Sequence, residues 1–171
     1  MIGSSLVRHQ GGFTLLETVI ALALLGMLLG IGIPQLSRQL QARALRLDAR
    51  ALAALIHQAR SASLGASRAL QLCGSRDGLQ CNDDWHQVIL RPAGGRPIHH
   101  LRLAAPERII WRGASTPLVF HPRWQHNFLN GTFSLCPAQH TELAAWRIIV
   151  SRLGRPRLER KPDDPRCRTA S

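Results

Sequence analysis

A chain of 171 residues with a formal net charge of +12 has room for one membrane helix and one soluble domain, and that domain, at about 100 residues, buries a modest core. This excludes a second sizeable domain. Of the 22 basic residues 21 are Arg, an excess that a high-GC genome favours and that also suits an anionic partner, either nucleic acid or an acidic membrane surface.

Residues Met1 to Gly12 are short and polar, with Arg8 and His9 just ahead of an apolar run. That run, Phe13 to Ile33, is 21 residues long with Glu17 as its single charge. A bilayer-spanning helix needs about 20 apolar residues. A carboxylate in such a segment is costly, on the order of 2.5–3.5 kcal/mol for comparable charges at mid-membrane. A secretory signal has a core of roughly 7–15 residues and a small-x-small cleavage site. The run here is longer and leads straight into a helix-forming region, so it reads as an anchor. By the positive-inside rule Arg8 holds the leader in the cytoplasm and the rest of the chain lies outside.

After Pro34, which is expected to kink the helix, helical periodicity continues. Leu36, Leu40, Ala44, Leu47, Ala51, Leu55, Ala59 and Ala62 recur at steps of three or four and predict an apolar stripe packed on the soluble domain. Arg38, Arg43, Arg46, Arg50 and Arg60 occupy other faces, and the helix is expected to end near Gly65. Beyond it, short strands are expected at Ala69–Cys73, Trp85–Leu90, His99–Leu103, Arg108–Arg112, Leu118–His121, Gly131–Cys136, Trp146–Ser151 and Pro156–Arg160, with no second helix. The expected fold is α+β, a long N-terminal helix packed on an antiparallel sheet or small sandwich. Its divisions are a leader (1–12), a membrane helix (13–33), an amphipathic helix (34–66) and a β-rich domain (67–171).

Cys73, Cys81, Cys136 and Cys167 form no CxxC pair, and an even count outside the membrane suggests two disulfides. Three pairings are possible. The favoured one joins Cys73 to Cys81 across a short loop and Cys136 to Cys167, tying the tail to the domain. A metal alternative would add His140 and His86 to Cys136.

"GGFTLLETVIALALLGML" resembles the class III signal of type IV pilins and type II secretion pseudopilins. The resemblance implies cleavage by a prepilin peptidase after Gly12, methylation of the new N-terminus at Phe13, and a filament-assembly role for Glu17. In pilins that acid meets the N-terminal amine of a neighbouring subunit. Other major and minor pilins are therefore implied partners, with the inner membrane as host before assembly and the globular domain in the periplasm. "LQLCGSRDGLQCNDDWHQVIL", "GTFSLC" and "WRIIVSRLGRPRL" resemble the globular domain of the GspH/FimT branch of minor pilins. Residues 91–130 match least.

Gly154, Arg155, Pro156 and Arg157 match the GRxR motif of FimT-like minor pilins, which implies DNA binding in natural transformation. The residues read the same way unaided. "VSRLGRPRLERK" predicts a strand, a tight turn at Leu153–Gly154 and a returning strand. Arg155 and Arg157, two apart on an extended chain, share a face. Arg152 lies across the turn, and Arg160 and Lys161 are close by. From Arg147 to Ser171 eight basic residues outweigh three acidic ones. Arginines spaced along an exposed hairpin can each meet a phosphate, which holds double-stranded DNA without reading bases. With no aromatic residue after Trp146, stacking on single strands is not expected. A bland alternative leaves these arginines as a solvated face, or pairs them with Glu159, Asp163 and Asp164.

Nothing in the sequence suggests an enzyme or a cofactor. The histidines are scattered, and neither a nucleophile elbow nor a phosphate-binding glycine loop occurs. The sequon at Asn130 reads more simply as a turn, and the four tryptophans as core or edge anchors. Two readings follow: a DNA-binding minor pilin, or a structural minor pilin or GspH-like pseudopilin of a type II secretion filament.

Overall fold

The computed structural model describes residues 14–123, 128–137 and 143–168. The leader with Arg8, His9 and Gly12, and also Phe13, Trp124 and His140, lie outside the described residues. In chain order the elements are α1 (Leu15–Gly65), β1 (Leu70–Gly74), β2 (Gln87–Pro92), β3 (His99–Arg102), β4 (Pro106–Gly113), β5 (Leu118–Phe120), β6 (Gly131–Pro137), β7 (Ala145–Val150), β8 (Pro156–Lys161) and α2 (Pro165–Arg168). Two compact units meet between Ser37 and Arg38.

In the first unit, α1 opens at Thr14, whose Oγ1 accepts the Glu17 N–H at 3.3 Å. That is the N-cap arrangement, a hydroxyl satisfying one of the free donors of the first turn. The apolar side chains that follow are exposed, Leu22 at 67% and Ile31 at 78%. The helix is long and apolar enough to cross a membrane, and it runs on through Pro34.

The second unit holds the rest of α1 and both sheets. Sheet order is β3-β2-β1-β5 in one and β4-β6-β7-β8 in the other, all pairs antiparallel. One apolar core joins Leu45, Leu52 and Ile56 of α1 to Leu72, Val88 and Phe120 of the first sheet and Phe133, Ile148 and Val150 of the second. Trp85 packs edge-on to Phe133 with centroids 4.8 Å apart, and Trp111 lies 4.3 Å from the same ring.

The packed stripe of α1 agrees with the predicted one only in its later part, where Leu55 and Ala59 are buried and Ala62 packs against the core. Its buried line includes Leu45, Ala49, Leu52, Ile56, Ala59 and Ser63, whereas Leu36, Leu40 and Leu47 are exposed at 57%, 55% and 63%. The helix carries Ala and Leu on several faces, so more than one line has the right period. Polar anchors select among them. Asp48 Oδ2 accepts the Ala105 N–H at 2.8 Å, and the buried Ser63 Oγ lies 2.7 Å from the Phe120 carbonyl and 2.9 Å from that of Arg68.

The second departure is α2, a four-residue helix where none was expected. Asp164 caps it, accepting the Arg166 N–H at 3.1 Å, and Pro165 occupies the first helical position, where no amide donor is needed. Both favoured disulfides are present, Cys73–Cys81 and Cys136–Cys167. Cys136 is thus no thiolate ligand, and the metal alternative loses its first donor.

Candidate nucleic-acid interface

The turn between β7 and β8 is one residue longer than predicted. The Ser151 N–H donates to the Arg155 carbonyl at 3.0 Å and the Gly154 N–H to the Ser151 carbonyl at 2.9 Å. The loop is therefore Arg152–Leu153–Gly154, with Gly154 in the left-handed region at φ 74°. A three-residue loop that ends on a left-handed glycine is a common hairpin connection. Gly154 is also packed: a Cβ there would lie 2.9 Å from Phe120 Cε1 and 2.9 Å from Leu129 Cδ1.

Neighbouring elements hold this turn. Arg60 Nε of α1 donates to the Leu153 carbonyl at 3.0 Å, and the Leu129 N–H to the Arg152 carbonyl at 3.1 Å. The Arg152 guanidinium sits 4.4 Å from the Phe128 ring centroid, a cation–π contact. Phe128 is 60% exposed. The fold thus brings an aromatic ring to a hairpin whose own sequence supplies none.

Register fixes where the cations lie. Pro156, Leu158 and Arg160 pair with Val150, Ile148 and Trp146, and Ile148 and Val150 are buried in the core. Because strand residues alternate, Arg157, Glu159 and Lys161 take the opposite, outer face. Arg155 precedes β8 and lies at the end of the turn, so register places Arg157 alone of the two on that face. Arg160 is the exception: it alternates to the face shared with Trp146, because β8 stays extended through that position. Arg152, Arg155, Arg157 and Arg160 are exposed, and Lys161 is half-buried.

The acids of this region are mostly committed elsewhere. Asp164 accepts from Arg147 Nε at 2.6 Å and Nη2 at 2.5 Å, with its side chain fully buried. The hydrogen bond from Arg147 holds the Asp164 carboxyl down to about 2, against burial, which acts the other way. Asp163 pairs with Arg168. Among the described residues only Glu159 approaches a motif arginine, Arg157, at 3.8 Å. Among the described residues Arg152, Arg155 and Arg160 have no ion pair. A cationic edge with so little local acid can neutralise phosphates.

The outer face of the second sheet is partly covered. The tail crosses it near Ser134 and Arg147, tied by Cys136–Cys167, by the Arg147–Asp164 pair, and by Arg108 Nη2 donating to the carbonyls of Arg166 and Cys167. Phe128 and Arg60 were not foreseen as parts of this site; no signal in the sequence brings either to the turn.

A family model described as type II transport protein GspH matches residues 48–154. A second, described as a prokaryotic N-terminal methylation motif, matches residues 7–33. The first ends at Gly154, so Arg155, Pro156 and Arg157 lie past it. Two crystal structures of the type IV minor pilin FimU from Pseudomonas aeruginosa are similar in fold. One has a TM-score of 0.50 at 20% identity, covering 67% of this chain and 91% of that one. The other crystal form has a TM-score of 0.52 at 21% identity, with coverage of 67% and 87%. No curated protein matches the chain significantly.

Proposed function

The chain belongs to the GspH family of type II transport proteins, and from that premise we propose that it is a minor pilin that binds double-stranded DNA non-specifically through its Arg hairpin. The binding serves DNA uptake in natural transformation, with a further part in pilus assembly. The methylation motif and the apolar start of α1 anchor the chain in the inner membrane. The globular domain faces the periplasm until the protein enters a filament. Prepilin peptidase cuts after Gly12 and methylates Phe13, and Glu17 meets the amine of a neighbouring pilin. A Glu17→Ala chain that assembled normally would refute that role.

One observation carries the DNA reading. Asp163 and Asp164 are taken by Arg168 and Arg147, which leaves the arginines of the turn and β8 exposed, with Glu159 the one acid paired to them among the described residues. The test is a polarisation titration of the full chain in non-ionic detergent against duplex DNA at several salt concentrations. Arg155→Gln and Arg157→Gln are each expected to weaken binding to all sequences and to lower the salt slope by about 1. Unchanged affinity in the double variant would reject the hairpin as the site.

The second reading, favoured by the family's type II transport description, is a structural pseudopilin of a secretion filament with no nucleic-acid ligand. Absence of duplex binding even at low salt would establish it over the first.

A further inference from the structure

Resting on the DNA reading above, we propose that the binding surface crosses the outer face of the second sheet and that Arg112, on the far edge strand, is a further phosphate contact opposite the hairpin. The ligand is then a duplex gripped on both walls of its minor groove. Four residues in mutual register carry the inference. Arg112 of β4 pairs with Thr132 of β6, Thr132 with Ile149 of β7, and Ile149 with Arg157 of β8. They form one row straight across the sheet. Three strand spacings of about 4.8 Å put the two arginines roughly 14 Å apart at their Cα atoms.

The row has the relief of a shallow trough. Arg112 and Arg157 at its ends are exposed, and Thr132 and Ile149 between them are uncharged and half-buried. The Arg112 backbone is set by β4–β6 pairing, and among the described residues Arg112 makes no ion pair. The adjoining row, Ile110–Ser134–Arg147–Glu159, lies where the tail covers the sheet. There Arg166 Nη1 reaches Ser134 Oγ at 3.5 Å and Asp164 holds Arg147. Among the described residues the row with Arg112 is therefore the one on this face, next to the hairpin, that the tail leaves uncovered. The minor groove of a B-form duplex is about 6 Å wide between walls of phosphate. Two arginines at the rims of such a trough can each take one wall, with uncharged residues under the groove. A single strand offers one line of phosphates and cannot satisfy both rims at once.

The experiment compares the full chain, in non-ionic detergent, with its Arg112→Gln, Arg112→Lys and Arg157→Gln variants on a blunt duplex and on a single strand of the same length. Losing one phosphate contact costs about eightfold in affinity at 0.1 M salt and lowers the salt slope by about 0.9. Arg112→Gln is expected to show that loss on the duplex, to leave single-strand binding unchanged, and to be rescued by Arg112→Lys. Arg157→Gln should weaken both ligands. If Arg112→Gln binds duplex like the parent while Arg157→Gln does not, the surface ends at the hairpin and the DNA reading stands without this extension. Equal losses on both ligands from Arg112→Gln would overturn the two-walled grip. If neither variant alters binding, the hairpin reading falls and the extension with it.

Discussion

Arg60 and Leu153 lie ninety-three positions apart in the chain, yet the Arg60 Nε–H reaches the Leu153 carbonyl at 3.0 Å. This cation of α1 serves the shape of the loop, not its charge. A guanidinium committed to a carbonyl at the tip of the hairpin limits how far Arg152 and Arg155 can wander, and ordering them beforehand lowers the entropy lost on binding. Arg60→Ala is expected to cost about 1.5–3 kcal/mol of stability, the range of a hydrogen bond made by a charged group. It should weaken duplex binding while leaving the salt slope unchanged, since no phosphate contact is removed. A slope reduced as far as in Arg157→Gln would make Arg60 a direct contact instead.

The glycine of the motif is explained by packing as much as by DNA. Gly154 has φ 74° and its missing Cβ would press on Phe120 and Leu129 at 2.9 Å. Gly154→Ala is expected to destabilise the domain by about 2–3 kcal/mol, combining the left-handed conformation with the overpacking. Gly94 is the control: its φ is 69°, but nothing lies within 4 Å of its Cβ position, so Gly94→Ala should cost only about 1 kcal/mol. Thermal melts of the two variants separate strain from crowding. Equal losses would mean that the core beside Gly154 yields.

The β7–β8 hairpin was legible because a β-branched run, Ile148–Val150, and an alternating one, Arg155–Glu159, flank a glycine, and each strand lies within two residues of its expected place. The seam of α1 was legible only toward its end, at Leu55, Ala59 and Ala62. Leu40 and Leu47 are as apolar as Leu45 and Leu52, and only the partners across the interface distinguish them. The tail helix carries a local start signal, Asp164 before Pro165, but it is only four residues long, too short for any helical period to show. Phe128 meets Arg152 through a loop contact, and the place of Arg112 opposite Arg157 is a matter of register across four strands. Those are tertiary facts, and they supply most of what sharpens the candidate site.

Glu159 is the acid best placed to compete with phosphate. Its Oε2 stands 3.8 Å from Arg157 Nη2, and both side chains are well exposed, at 38% and 76%. An exposed pair of this kind contributes about 0.2–1 kcal/mol. Removing the charge frees Arg157 and deepens the positive potential around it. Glu159→Gln should therefore tighten duplex binding about two- to threefold in low salt, by the same range of energies. The gain should vanish in the Glu159→Gln/Arg157→Gln double variant. A gain that persisted there would assign the effect to net charge alone.

The tail clamp sets an acid limit on the fold. Asp164 titrates at about 2 in the folded protein against 3.8 for an ordinary aspartate, chiefly because Arg147 donates two hydrogen bonds to it. A carboxyl whose folded value is depressed binds fewer protons when folded than when unfolded. Stability from the pair is thus fully present above about pH 4 and is lost as the pH falls from there toward 2. The difference amounts to roughly 2 kcal/mol. Denaturant melts of the parent should show this fall across that window, on top of the background from other acids. In Asp164→Asn the component specific to this pair should be missing, and the variant should already be less stable at pH 7. The Cys136–Cys167 bond would still hold the tail to β6, so the loss is expected as weakened packing over Ser134 and not as release of the segment. An Asp164→Asn chain with the parent's stability at pH 7 and the same acid slope would show that the pair adds nothing to folding.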